Sequence, residues 1–254
     1  MAGTVRTADG VSIAVTHRVP AVPTGAAVVL AHGFTGSKEQ AEVVALADAL
    51  VADGHHVFAF DLRGHGESGG LSTLGDLERL DVAAVSHEAR DHAGSIVLVG
   101  ASMGAVAVLG YAAARPDIAG VVAVSSPAVW KVPRSLRGLL SVPITRTRWG
   151  QAFARRRLGV RMARRWTHPA PPAQLVERVE APVAFVHGRR DRFVHHSASV
   201  QLHAHAAERW RIELVDDMAH AFDAAGIPSI RAAVAWILQA HETLTSAEIP
   251  DTLV

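Results

Sequence analysis

Short, mainly apolar runs alternate along this chain with longer stretches in which apolar residues return every three or four positions. Residues 26–31, 56–60, 96–99, 118–124, 182–186 and 210–215 are the short runs, each of a length that suits a buried strand. After the first of them, Val43, Val44, Leu46, Ala47 and Leu50 fall at helical spacing, with Ser37 as the expected N-cap and Gly54 as the C-terminal cap. Residues 77–92 predict an amphipathic helix, and 105–114 an Ala-rich helix stopped by Pro116. Residues 196–207 and 228–244 predict two more. Residues 4–19 alternate around Asp9-Gly10, the pattern of a β-hairpin, and 20–25 form a short linker. Residues 245–254 read as a loose tail.

Strands and helices alternating in this way predict an α/β fold. It would have a mostly parallel central sheet with helices on both faces, opened by an N-terminal antiparallel hairpin. Chemistry in such sheets gathers at the carboxyl ends of the strands, and the polar, Gly-rich clusters of this chain stand there. The sharpest is Gly100-Ala101-Ser102-Met103-Gly104, with no room for a loop between strand and helix. So abrupt a turn forces its central residue into a strained conformation, and small neighbours at Gly100 and Gly104 let the two elements approach. The Ser102 hydroxyl would then stand on the tip of the turn beside the positive end of a helix dipole, as in a nucleophile elbow. The same five residues also fit an ordinary strand-to-helix connection. Only a base, an acid and an oxyanion hole elsewhere in the chain decide between the two.

Composition narrows the classes. The chain has 254 residues, 49% hydrophobic and 19% charged, which suits a packed globule and not extended disorder. It has no cysteine, so disulfides and thiolate metal sites are excluded. The first ten residues lack the apolar core of a signal peptide and no run approaches 18 apolar residues, so a soluble, cytoplasmic protein without a membrane span is expected. The net charge of +1 conceals an asymmetry: residues 131–165 hold ten Arg, one Lys and no acidic residue, which leaves 14 basic against 24 acidic residues elsewhere. A stretch so different from its surroundings reads as a separate structural piece.

A serine hydroxyl needs a base within hydrogen-bond reach to act as a nucleophile. Of the fifteen histidines, His220 stands in the loop after the last strand, at the carboxyl edge of the sheet; the alternative for it is a solvated loop residue. His32 follows its own strand beside Gly33 and is better placed to order a loop. His17, His55, His56, His87 and His92 are expected at the surface. His195, His196, His203 and His205 line a helical stretch, with no spacing that favours a metal over exposure. The imidazole must be held in one tautomer by a carboxylate. Asp191, just past the strand at 182–186, is the leading candidate. Asp216 and Asp217 remain alternatives, as does a plain salt bridge from Asp191 to Arg189, Arg190 or Arg192. For the oxyanion, the Met103 N–H follows the nucleophile at the helix start, and the Phe34 N–H lies in the loop where Gly33 permits close approach.

With Ser102, Asp191 and His220 in that order, the chain resembles the α/β-hydrolase superfamily over nearly its whole length. His32-Gly33-Phe34 matches that family's oxyanion loop, and residues 61–68 match the loop after its next strand. Residues 100–104 match the elbow, and His187-Gly188 with Asp191 and Val194 match the acid loop. The resemblance implies a triad of Ser102, Asp191 and His220, with the Phe34 and Met103 amides as oxyanion hole and His32, Gly33, Gly100 and Gly104 as supporting positions. Ala219 departs from the Gly that many relatives carry before the histidine. Ser at the elbow argues against the dehalogenase and epoxide-hydrolase branches, and the length is similar to small bacterial carboxylesterases and monoacylglycerol lipases. The family inserts its lid after the strand that follows the elbow helix. Residues 1–127 and 179–254 would therefore be the core, and 128–178 an Arg-rich lid.

Within that lid, residues 151–166 predict a helix carrying Phe153, Leu158, Val160 and Met162, with Trp130, Trp149 and Trp166 buried among solvated arginines. The positive charge would alternatively attract an anionic partner: a coenzyme A ester, an acyl carrier protein or an anionic lipid surface. Nucleic acid is not expected, since no binding fold is present. The sequence thus points to a serine hydrolase for small-molecule carboxylic esters, needing no cofactor or metal. A thioesterase is the alternative within hydrolases. A ligand receptor without turnover is the alternative outside them, and a perhydrolase side activity is compatible with the same triad.

Overall fold

The computed structural model describes residues 1–115, 117–129, 147–164, 169–205 and 210–247. Its strands are β1 (Ala2–Arg6), β2 (Ser12–Arg18), β3 (Ala26–Ala31), β4 (His56–Phe60), β5 (Ser95–Ala101), β6 (Gly120–Val124), β7 (Val183–Gly188) and β8 (Trp210–Val215). They form one sheet in the order β1-β2-β4-β3-β5-β6-β7-β8. β1 and β2 pair antiparallel, as do β2 and β4, and every pair beyond β4 is parallel. The chain steps from β3 to β4 on one side, then crosses to β5 on the other. The carboxyl ends of β3 and β5 therefore adjoin where the strand order reverses, the place where such sheets bind ligands.

The inner strands β3, β4, β6 and β7 are buried at every residue, which is why they read as continuous apolar runs. One face is covered by α1 (Ala41–Ala52) and α7 (Ile227–Ala247). They bury Val43, Leu46, Ala47 and Leu50, and Ile230, Ala233, Val234 and Ile237, each set at i, i+3, i+4, i+7. The other face is covered by α2 (Glu78–Arg90), α3 (Met103–Ala112) and α6 (Ser197–Ala204), which set Val82, Val85, Leu109 and Leu202 against Val29, Phe58, Leu98 and Phe185. No helix among the described residues is long and apolar enough to cross a membrane.

Several expectations are corrected. Ser37 is not a helix cap: α1 begins at Ala41 with Gln40 as N-cap and no side-chain capping bond. Residues before it are engaged elsewhere, since the Lys38 N–H donates to Asp61 Oδ1 at 2.8 Å and Lys38 Nζ pairs with Glu67 and Asp61. His17, His55 and His56 are buried, not surface groups, because their rings pack against the sheet and its turns; His17 stacks on Phe58 with ring centroids 4.0 Å apart. In the segment 128–178, expected as an insertion, residues 130–146 and 165–168, with Trp130 and Trp166, lie outside the described residues. Its described part holds α4 (Arg148–Phe153) and a π-helical turn (Ala154–Leu158), then, after an extended stretch, α5 (Pro172–Val176). The helix expected over 151–166 ends at Gly159, whose φ of 68° places it in the left-handed region that stops helices. Met162 then runs extended and bridges to Ser72. Trp149 is 89% exposed, so it is not a buried anchor. Of the expected tail, 245–247 continue α7, and 248–254 lie outside the described residues, as does the Pro116 stop.

Candidate active site

Ser102 sits between β5 and α3 with φ 53° and ψ −113°, a conformation outside the regions open to ordinary residues. Backbone contacts impose it. A Cβ on Gly100 would lie 2.4 Å from the Gly104 carbonyl, and one on Gly104 would lie 2.4 Å from the carbonyls of Ala31 and His32. The strand, the helix and the loop after β3 thus meet at van der Waals distance only because two side chains are missing. The Ser102 N–H donates to the Val124 carbonyl at 2.9 Å, which fixes the turn to the end of β6.

Gly33 brings the loop after β3 against Ser102: a Cβ on Gly33 would touch Ser102 Cβ at 3.4 Å. Two buried histidines hold this loop. His32 Nδ1–H donates to the Gly33 carbonyl at 2.7 Å while its Nε2 accepts the Leu62 N–H at 3.1 Å. His65 Nδ1–H donates to the Arg63 carbonyl at 3.1 Å, and its Nε2 accepts the Thr35 N–H at 3.4 Å. Burial keeps both imidazoles neutral, so each serves as donor and acceptor at once. Phe34 packs its ring edge-on to His65. Met103, on the other side of Ser102, opens α3 and is buried beside the Ser72 hydroxyl.

Asp191 follows β7, and its carboxylate is fully used. Oδ1 accepts the N–H groups of Phe193 and Val194 at 2.8 and 2.9 Å. Oδ2 accepts His220 Nδ1–H at 2.6 Å and lies 3.3 Å from His187 Nε2. Burial alone would raise this carboxyl. The hydrogen bonds from His187, His220 and the Val194 amide outweigh it and hold the group well below the usual carboxylate range. Asp216 and Asp217, by contrast, are exposed and pair with Arg189 and Arg190 at 2.8 and 2.6 Å. Arg189 and Arg190 are thereby drawn away from Asp191.

His220 comes from the loop after β8, and two contacts set its position. A Cβ on Gly188 would lie 2.2 Å from the Met218 carbonyl and 2.3 Å from that of Ala219, so the His220 loop rests directly on the end of β7. The Ala221 N–H donates to Ser125 Oγ at 3.2 Å. Ser125 follows Val124, the residue that anchors Ser102. With Nδ1–H given to Asp191, His220 Nε2 is left with the lone pair of a base.

Three contributors do not stand out in the sequence. His187 is visible there only as part of a motif. It is fully buried, accepts from Ser199 Oγ–H at 2.7 Å and donates to the Val194 carbonyl at 2.9 Å, so it braces the Asp191 turn. His65 is visible in the same way. Ser125 carries no signal, since its role depends on φ 48° at a strand end, which the sequence does not display.

A family model described as the alpha/beta hydrolase fold matches residues 26–179. Among solved structures, a Pyrococcus furiosus esterase superposes with a TM-score of 0.74 at 22% identity, over 94% of this chain and 90% of that one. An esterase from a Rhodococcus species superposes with a TM-score of 0.70 at 22% identity, over 92% and 98%. A Xanthomonas campestris serine hydrolase described as lacking a lid gives 0.63 at 21%, over 94% of each. No curated protein matches the sequence. The strand order, the elbow and the family match converge: this chain belongs to the α/β-hydrolase family.

Proposed function

We propose that the protein is a serine hydrolase that cleaves carboxylic esters through an acyl-enzyme. Ser102 Oγ attacks the acyl carbon while His220 Nε2 takes its proton and passes it to the leaving alcohol. Asp191 keeps His220 in the Nδ1–H tautomer and stabilises the imidazolium. The N–H groups of Met103 and Phe34 receive the oxyanion. Water, deprotonated by His220, then attacks the acyl carbon; the ester bond to Ser102 breaks as His220 returns the proton to Ser102 Oγ, and the carboxylic acid leaves. The 2.6 Å bond from His220 Nδ1 to Asp191 Oδ2 carries this reading, because it gives a base its orienting acid at the same carboxyl edge of the sheet as a strained serine. Esterases among the superposable structures add support for the reaction class.

Residues 128–178 would act as a lid over the acyl pocket. Support comes from Ala154, Val160 and Met162, which form a small cluster with Leu74 and with Phe34 of the oxyanion loop. The arginines of this segment favour a second substrate reading, an anionic thioester such as an acyl-CoA.

Ser102→Ala is the deciding variant, tested on p-nitrophenyl esters and acyl-CoA thioesters of graded chain length. Turnover is expected to fall by at least about 10⁴-fold with circular dichroism unchanged. A fluorophosphonate probe should label wild type and not the variant. Ester cleavage retained by pure Ser102→Ala protein would remove the proposal. Faster cleavage of acyl-CoA than of matched esters would assign a thioesterase.

A further inference from the structure

Three histidines lie together at the end of the sheet remote from Ser102. His17 is on β2 and pairs in register with Phe58 on β4. His56 is the first residue of β4, two positions from Phe58 and so on the same face. His92 comes two residues after α2, which packs on that face. Among the described residues, this is the one group in which three metal-ligating side chains bring a ligand atom each within 4.8 Å of one another.

We propose that His17, His56 and His92 form a three-imidazole site for a divalent first-row transition metal ion of the Zn²⁺ type. Two of the three ligands are preformed. His17 Nε2 and His56 Nδ1 stand 2.9 Å apart. Two nitrogens each about 2.0–2.1 Å from one zinc ion subtend roughly 90° at that separation, and about 3.4 Å suffices for a tetrahedral angle. The His17 ring cannot turn away, because Phe58 stacks on it at an interplanar angle of 12°. His92 is the adjustable member. It is exposed, its ring centroid lies 4.5 Å from that of His17, and a rotamer change can close the remaining gap.

Each of the three rings can offer one nitrogen to the same point. In the metal-free protein the 2.9 Å contact is a hydrogen bond between one protonated and one bare nitrogen. Moving that proton to the far nitrogen of the same ring bares both ligand atoms without changing the net charge. A fourth position would face solvent on the His92 side. His56 and Phe60 mark opposite ends of β4, about 13 Å apart at 3.3 Å per residue, so the site is separate from the Ser102 loops. A bound ion would clip the end of α2 to the β2–β4 pair.

The test uses the full chain without an affinity tag, stripped with a chelator and titrated with ZnCl₂ by calorimetry and thermal unfolding. One zinc per chain is expected with micromolar or tighter affinity, and saturating zinc should raise Tm by about 5 °C. His92→Ala changes an exposed residue and leaves the core intact. It should weaken binding at least tenfold and remove the Tm rise, whereas His87→Ala, on the exposed face of α2, should alter neither. Absence of zinc uptake below about 100 μM, or uptake and a Tm rise that survive His92→Ala, would overturn the proposal.

Discussion

Asp191 shows how much one carboxylate can settle. Its two oxygens accept from two backbone amides and from His220, with His187 close behind, and its side chain is sealed from solvent. In the proposed reaction it holds one tautomer, so Asp191→Asn should leave the protein folded and lower kcat by about 10⁴-fold, because an amide favours the wrong tautomer of His220. The same residue shapes acid stability. A carboxyl held below its unfolded-state value contributes stability above about pH 4, and that contribution drains away as the pH falls through the folded value. Urea unfolding of wild type should therefore weaken steeply between roughly pH 5 and pH 2. The Asn variant should show a flatter acid limb, and equal slopes in the two proteins would remove this role from Asp191.

Elements meet at the site through backbone, not through long side chains, and Gly188 is where β7 carries the His220 loop. Adding a methyl group there places it within 2.3 Å of two carbonyls that belong to that loop. Gly188→Ala should destabilise the fold by about 1–3 kcal/mol, the scale of overpacking. It should also lower kcat by about 100-fold or more, since displacements near 1 Å are that costly to a positioned base. Denaturant titration and steady-state kinetics on one preparation check both. Such contacts explain what the sequence could display. β3, β4 and β8 are legible to the residue because their runs coincide with their burial or pairing. The start of α1 is not, because Lys38 is held by Asp61 and Glu67, 23 and 29 positions away. The start of α2 falls within one residue of the expected 77, but the burial there is not legible: Glu78 and Asp81 look like solvent-facing charges and are fully buried. Glu78 receives the Ser72 and Thr73 hydroxyls and the Thr73 and Gly75 amides. Asp81 receives the Arg63 amide and guanidinium. Pattern reads the face of a helix, but it does not read a partner that the loop after β4 brings back. The same limit hides the His17–His56 pair, since adjacency across β2 and β4 depends on register.

At the scale of the whole molecule, charge is divided and not balanced. The net charge of +1 is the sum of a segment at 131–165 with eleven cations and no acid, and a remainder in which acids outnumber bases by ten. The described part of that segment reaches the loop after β3 through Phe34, and Arg161 donates to the Ser68 carbonyl, so cationic sequence lies against the candidate site. Charge held close to a binding cleft raises the encounter rate with anions while leaving the bound chemistry unchanged. It is screened once the Debye length, about 10 Å at 0.1 M salt, becomes shorter than the approach. With an acyl-CoA as substrate, kcat/KM should therefore fall by about tenfold between roughly 20 and 300 mM salt while kcat barely changes. A neutral p-nitrophenyl ester of the same acyl chain should give a flat profile. Replacing Arg155, Arg156 and Arg157, which are exposed, by Gln should flatten the acyl-CoA profile without affecting the neutral ester. If both substrates respond equally to salt, the arginines do not select anions, and the segment acts as a cover alone.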